Sequence, residues 1–157
     1  MDHTGRIIVA CVGNVLRLDD GFGYAVAERL GDVPPGVEVL ESGIGGMMVV
    51  QELLVGADGL IIVDAVDRGA APGTLFVIEP EVEPPSQVGD IHLSNPDKVL
   101  SLAGGLGCLP ERLLLVGCQP RDVEGMGRRL SPEVERAVDL AVDRIHAILR
   151  EWTAAPA

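Results

Sequence analysis

Hydrophobic and polar positions along the chain alternate between two regular patterns. Residues 6–12 (RIIVACV), 59–66 (GLIIVDAV) and 73–78 (GTLFVI) are short apolar runs bounded by glycines or turn residues. Residues 37–40 (VEVL) and 111–116 (ERLLLV) add two more strands. Runs that are apolar throughout and rich in β-branched residues read as strands buried on both faces. Between them, apolar residues recur at helical spacing. Phe22, Val26, Ala27 and Leu30 form one face of a helix opened by Asp19 or Asp20. Residues 47–55 predict a second helix. A third runs from Asn95-Pro96 to Gly104-Gly105, with Val99, Leu100, Leu102 and Ala103 as core positions. Ser131-Pro132-Glu133 combines an N-cap residue, a proline at N1 and an acid in the first turn. The helix it opens extends to about Trp152, with Val134, Val138, Val142, Ile145 and Leu149 on one stripe.

The order is β-α-β-α-β-β-α-β-α. It predicts one α/β domain over residues 1–157, with the tail 153–157 frayed. The sheet is expected to be five-stranded, twisted and mainly parallel, the middle of three layers with helices on both faces. Such sheets place their chemistry beyond the carboxyl ends of the strands, at a topological switch point. The segments to inspect are therefore 13–20, 41–46, the end of the third strand at Asp64, and 117–120. Residues 79–90 carry three prolines, four acids and no periodicity, and read as a solvated acidic loop.

Charge narrows the partners. Twelve basic residues face 24 acidic ones, a net charge of −12. That excludes a phosphate-backbone binder and a polybasic membrane anchor, because both need clustered Lys and Arg. No apolar run reaches the ~18 residues of a membrane-spanning helix, and residues 1–6 lack a signal-peptide pattern, so a cytoplasmic protein is expected. Cys11, Cys108 and Cys118 are odd in number, widely spaced and set among apolar residues or glycines, the habit of buried reduced thiols.

Three ionisable positions stand out. Asp19-Asp20 opens the first helix. One of the two, Asp19, is accounted for as an N-cap, which leaves Asp20 spare. Asp64 ends a buried strand, where an acid is desolvated unless it caps a loop or holds a ligand. His92 lies in the segment DIHLSNP at the end of the acidic loop, either as a surface residue or as a ligand. Two carboxylates and an imidazole suit a divalent transition metal with positions left open for substrate or water. The Gly43–Gly46 stretch either exposes amides as an anion nest or simply turns tightly into a helix. No P-loop, no GxGxxG and no GxSxG elbow is present.

These residues carry a family resemblance. The segment GNVLRLDDGFG (13–23) resembles the GNxLxxDDGxG signature of the hydrogenase maturation endopeptidases, which finish nickel-iron hydrogenase large subunits. The resemblance continues through IIVDA (61–65), PGT (72–74), His92, VGCQP (116–120) and LSP (130–132), and spans nearly the whole chain. It implies a twisted sheet between helices. It implies removal of a C-terminal extension from a large-subunit precursor after nickel insertion. Asp20, Asp64 and His92 would contact nickel that arrives with that precursor, with no tightly bound cofactor of the enzyme's own. Residues 41–46 (ESGIGG) occupy the place of the family's DGGTxG-like segment, associated with substrate recognition. That role falls on Glu41, Gly43, Gly45 and Gly46, while Ser42 and Ile44 replace a glycine and a threonine.

Two other classes share parts of this pattern. A phosphoacceptor receiver domain also has acids after its first strand and an aspartate ending its third. It needs a lysine after strand five, where this chain has Gly117-Cys118-Gln119-Pro120. A non-catalytic chaperone of the same fold, binding nickel or the precursor, would share all three candidate ligands.

Overall fold

A computed structural model of the chain describes residues 5–43, 46–84 and 96–154. The strands are β1 (Ile7–Val12), β2 (Val37–Gly43), β3 (Gly59–Ala65), β4 (Leu75–Ile78) and β5 (Arg112–Cys118). They form one sheet in the order β2-β1-β3-β5-β4. All neighbours are parallel except β4, which closes the edge antiparallel to β5. The helices are α1 (Phe22–Leu30), α2 (Met47–Val55), α3 (Pro96–Gly105) and α4 (Pro132–Thr153).

Strand periodicity divides the core into two layers. Ile7, Val9, Cys11, Ile61 and Val63 point towards α1 and α4, where they meet Phe22, Val26 and Ile145. Ile8, Ala10, Leu60 and Ile62 point the other way, towards Val49, Leu53, Val99 and Leu100 of α2 and α3. Because β1 and β3 are covered on both faces, all of β1 and all but the last residue of β3 are buried. Their uninterrupted apolar sequence follows from that position. Burial of each large aliphatic side chain contributes on the order of 1.5–3 kcal/mol. No helix among the described residues is long and apolar enough to cross a membrane.

The chain leaves β1 to build β2 on one side and then crosses back to build β3 on the other. The switch point therefore lies between the carboxyl ends of β1 and β3.

Three local expectations change. β2 does not stop at residue 40 but continues through Glu41, Ser42 and Gly43. The free edge of β1 draws these residues into pairing, Cys11 with Glu41 and Val12 with Gly43, with an irregularity between. The Gly13 N–H then donates to the Gly43 carbonyl at 3.0 Å. Second, the first helix is not capped by Asp19. A 3₁₀ turn, Leu18–Gly21, precedes it, and Gly21 takes the N-cap position. Third, Ser131 occupies the N-cap of α4, but its hydroxyl makes no capping bond to that helix. It donates instead to Asp19 at 2.7 Å.

Candidate active site

Asp64 is the sixth residue of β3, on the face that Leu60 and Ile62 share with α2 and α3. Its backbone pairs with Gly117. The strand's period thus places a carboxylate where the buried row would hold an apolar residue. Asp64 is 4% exposed. Its Oδ1 accepts the Ala65 N–H at 2.8 Å. Burial, reinforced by the charge of Asp20, holds its pKa well above the ordinary carboxylate value, against the weaker pull of the Ala65 bond.

Asp20 reaches the same point from the loop after β1. Its Oδ2 accepts the Asn14 N–H at 2.8 Å, closing the loop over itself. The Asn14 side chain in turn accepts from the Leu16 N–H at 2.9 Å. No Lys or Arg among the described residues is ion-paired with Asp20 or Asp64. Two carboxylates meeting in a low-dielectric edge repel each other, and a cation or a shared proton relieves that repulsion.

The pair lines a cavity of about 360 Å³, together with Asp67, Arg68, Pro96 and Asp97. The Arg68 guanidinium lies over the Phe76 ring at 5.5 Å from its centroid. Asp67, Arg68 and Asp97 were not picked out from the sequence, although Asp67 follows Asp64 by only three positions. A larger cleft of about 520 Å³, lined by Arg112, Ile148 and Trp152, lies away from the switch point at the start of β5.

His92 lies outside the described residues, as do Ile44 and Gly45. Pro96, four positions after His92, opens α3 and lines the acid cavity. Of the segment expected to recognise substrate, Glu41 is exposed at the end of β2, and Gly43 adopts φ +60°. Gly46 caps α2 and accepts the Val49 and Val50 N–H groups. His146 on α4 hydrogen-bonds the Leu30 carbonyl at 2.7 Å.

Asp19, the residue beside Asp20, is fully buried. Its Oδ2 accepts the N–H groups of Arg121 and Asp122 at 2.8 and 3.0 Å and the Ser131 hydroxyl at 2.7 Å. Its Oδ1 accepts the Ser131 N–H at 2.7 Å. Burial pushes its pKa up, but these bonds outweigh it and hold the carboxyl below its usual range.

None of the cysteines is bonded to another. Burial pushes the Cys11 and Cys118 thiols up to about 12, so neither is an activated nucleophile. At the position where a receiver domain needs lysine stands Gln119, whose amide is engaged with Asp67, Arg68 and Ala70.

Known proteins resemble this chain over most of its length. Residues 25–148 match a family model described as HycI, hydrogenase maturation protease. The chain is 36% identical over 154 residues to the hydrogenase expression/formation protein HupD of Rhizobium leguminosarum bv. viciae, covering 94% of this chain and 75% of that one. It is 35% identical over 153 residues to the hydrogenase 2 maturation protease of Escherichia coli strain K12, covering 93% and 92%. The fold superposes on the hydrogenase maturating endopeptidase HybD from E. coli with a TM-score of 0.78, at 34% identity and 93% coverage of both chains.

Proposed function

Since this chain belongs to the hydrogenase maturation protease family, a family of endopeptidases, we propose that it removes the C-terminal extension of a nickel-iron hydrogenase large-subunit precursor. In this reading the precursor brings its own nickel. Asp20, Asp64 and His92 recognise that metal as part of the substrate, and the enzyme needs no tightly bound cofactor of its own. The observation that carries the reading is the meeting of Asp20 and the buried Asp64 in one cavity at the switch point. His92 enters on the sequence argument.

The chemistry follows from the charges. Burial first, and the charge of Asp20 second, make the ionised form of Asp64 costly, and a cation beside the pair offsets that cost. A precursor loaded with nickel supplies that cation, whereas an empty precursor does not. Cleavage is thereby restricted to substrate that has already received its metal. The nickel polarises the scissile carbonyl or a water, and a carboxylate of the pair takes up the proton released in the attack. Glu41, Gly43, Gly45 and Gly46, at the end of β2 and the entry to α2, are placed to contact the precursor beside the metal. With no membrane-spanning helix among the described residues, action in the cytoplasm on a soluble precursor fits the chain.

The test is intact-mass analysis of a nickel-loaded precursor incubated with the protein. Wild type is expected to produce the mass loss of the extension. Asp20→Asn, Asp64→Asn and His92→Ala are each expected to lower the rate by at least about a hundredfold. Wild-type rates from all three variants would overturn the site. Precursor binding without any mass change would favour the chaperone instead.

A further inference from the structure

We propose that Gln119 and Asp19 are positioning residues: through one shared segment, residues 119–131, they set the placement of the Asp64 and Asp20 carboxylates relative to each other. The inference rests on the reading of Asp20 and Asp64 given above.

Gln119 directly follows β5 and is 5% exposed. Its Oε1 accepts the N–H groups of Arg68 and Ala70 at 2.7 and 3.2 Å, and its Nε2 donates to Asp67 Oδ1 at 2.9 Å. Its main chain donates to the Thr74 carbonyl at 2.9 Å and accepts the Gly73 N–H at 2.8 Å. One residue therefore ties down the stretch 67–74 that leads away from Asp64. This accounts for the quoted Pro72-Gly73-Thr74 and Gln119-Pro120 motifs, which the chemistry of the site does not otherwise use.

Asp19 anchors the other end of the same segment. Its carboxylate holds Arg121, Asp122 and Ser131, and its own N–H donates to the Asp122 carbonyl at 3.0 Å. The adjoining backbone is zipped to residue 127. Leu18 donates to the Gly127 carbonyl at 2.9 Å, and the Gly127 N–H donates to Leu16 at 2.8 Å. Leu18 stands at φ +51°, a conformation that a branched side chain adopts only when its surroundings hold it. Gly125 and Gly127 make room for it: a Cβ on either would lie 2.7 or 3.1 Å from a Leu18 methyl. The held turn leads directly into Asp19 and Asp20.

The loop that carries Asp20 and the stretch that follows Asp64 thus touch the same third segment. Their polar anchors, Asp19 and Gln119, are buried. A scaffold of this kind serves precise placement, because a displacement of about 1 Å at a reacting centre costs on the order of a hundredfold in rate.

Gln119→Glu sets a carboxylate against Asp67 and removes the donor. Adding Asp67→Asn turns a donor towards the new carboxylate, at the expense of the Gly69 N–H, which donates to the same Asp67 Oδ1 at 3.1 Å. With nickel-loaded precursor, Gln119→Glu is expected to lower kcat by about tenfold to a hundredfold while KM stays within about twofold. The double variant is expected to recover part of the loss. Asp19→Asn is expected to show the same split, with folding checked by circular dichroism. Should Gln119→Glu not fold, Gln119→Asn keeps both polar atoms but sets them back by one methylene, and the same split is expected. An unchanged kcat in folded Gln119 and Asp19 variants, or a loss that Asp67→Asn does not reduce, overturns the proposal. Asp64→Asn is run alongside. If it cleaves at the wild-type rate, the site reading fails. If it is inactive while the Gln119 variants are not, only the positioning role fails.

Discussion

Gly13 passes directly against Asp20: a Cβ at position 13 would stand 2.1 Å from the Asp20 carbonyl oxygen and 3.4 Å from Oδ1 of Asp64. Both requirements for glycine meet at this residue, since its φ of +135° is also outside the range of ordinary side chains. The first glycine of the 13–23 motif therefore lets the backbone of Asp20 and the side chain of Asp64 both come close to the end of β1. The last glycine of the motif serves the same closeness one turn later. A Cβ on Gly23 would lie 2.5 Å from the Val12 carbonyl and 2.8 Å from that of Val63, so α1 packs its backbone directly on the ends of β1 and β3.

Gly13→Ala is accordingly expected to damage both stability and chemistry. The added methyl meets backbone, which cannot rotate away, and forces a strained φ. A loss of about 2–4 kcal/mol in urea unfolding is expected, with cleavage of nickel-loaded precursor reduced by at least about tenfold even in the folded fraction. Unchanged unfolding and cleavage would contradict the close approach of the two loops.

Asp64→Asn is expected to stabilise the metal-free protein while abolishing cleavage. In the fold, burial and Asp20 raise the Asp64 pKa above its unfolded value. The folded state therefore holds the proton more tightly than the unfolded one, and wild-type stability falls as pH rises from the ordinary carboxylate range through the raised pKa. The asparagine variant escapes that penalty. Its melting temperature should exceed that of wild type at neutral pH, by roughly 2–4 °C for each kcal/mol recovered, and the gap should close as the solution is acidified below the ordinary carboxylate range. Melting curves across pH, without metal, check both the sign and the window.

Asp19→Asn should behave in the opposite sense. The Asp19 pKa is held below its unfolded value despite burial, by bonds from Ser131, Asp122 and Arg121. Ionised Asp19 therefore contributes stability that is present above the ordinary carboxylate range and lost as pH falls through its lowered pKa. The variant should lose on the order of 2–3 kcal/mol at neutral pH, since an amide cannot accept all the bonds that the carboxylate does. The difference from wild type should shrink in acid. The contrast between neighbours at the same sheet edge is the informative part: the Asp64 variant gains at neutral pH and the Asp19 variant loses.

Much of this architecture is legible before any coordinates are known. The runs at 6–12 and 59–66 are apolar at every position except Arg6 and Asp64, because each strand they form is covered on both faces. The helix stripes at 22–30 and 132–153 show their period because each buries one side only. Asp64 stands out because it interrupts such a run. Asp20 is conspicuous as the second of two acids where helix capping has use for one.

The structural task of Asp19 was not legible. Capping chemistry is local, and by local rules Asp19 belongs to the helix that follows it. Its actual partners, Arg121, Asp122 and Ser131, lie more than a hundred positions along the chain. The same holds for Ser131, which has every attribute of an N-cap but gives its hydroxyl to Asp19.

The amino-acid sequence by itself determined the alternation of strands and helices, the carboxyl edge of the sheet as the place to look for a site, and Asp20 and Asp64 as the two carboxylates at that edge. All three follow from period and burial, which each residue carries with its nearest neighbours. Only the tertiary structure decided that Asp19 binds a distant loop instead of capping a helix, and that Asp20 and Asp64 line one cavity. It also decided that Gln119 secures the loop beyond Asp64. Those outcomes depend on hydrogen bonds closed between loops far apart in the chain, whose partners exist only after the sheet has brought its carboxyl ends together.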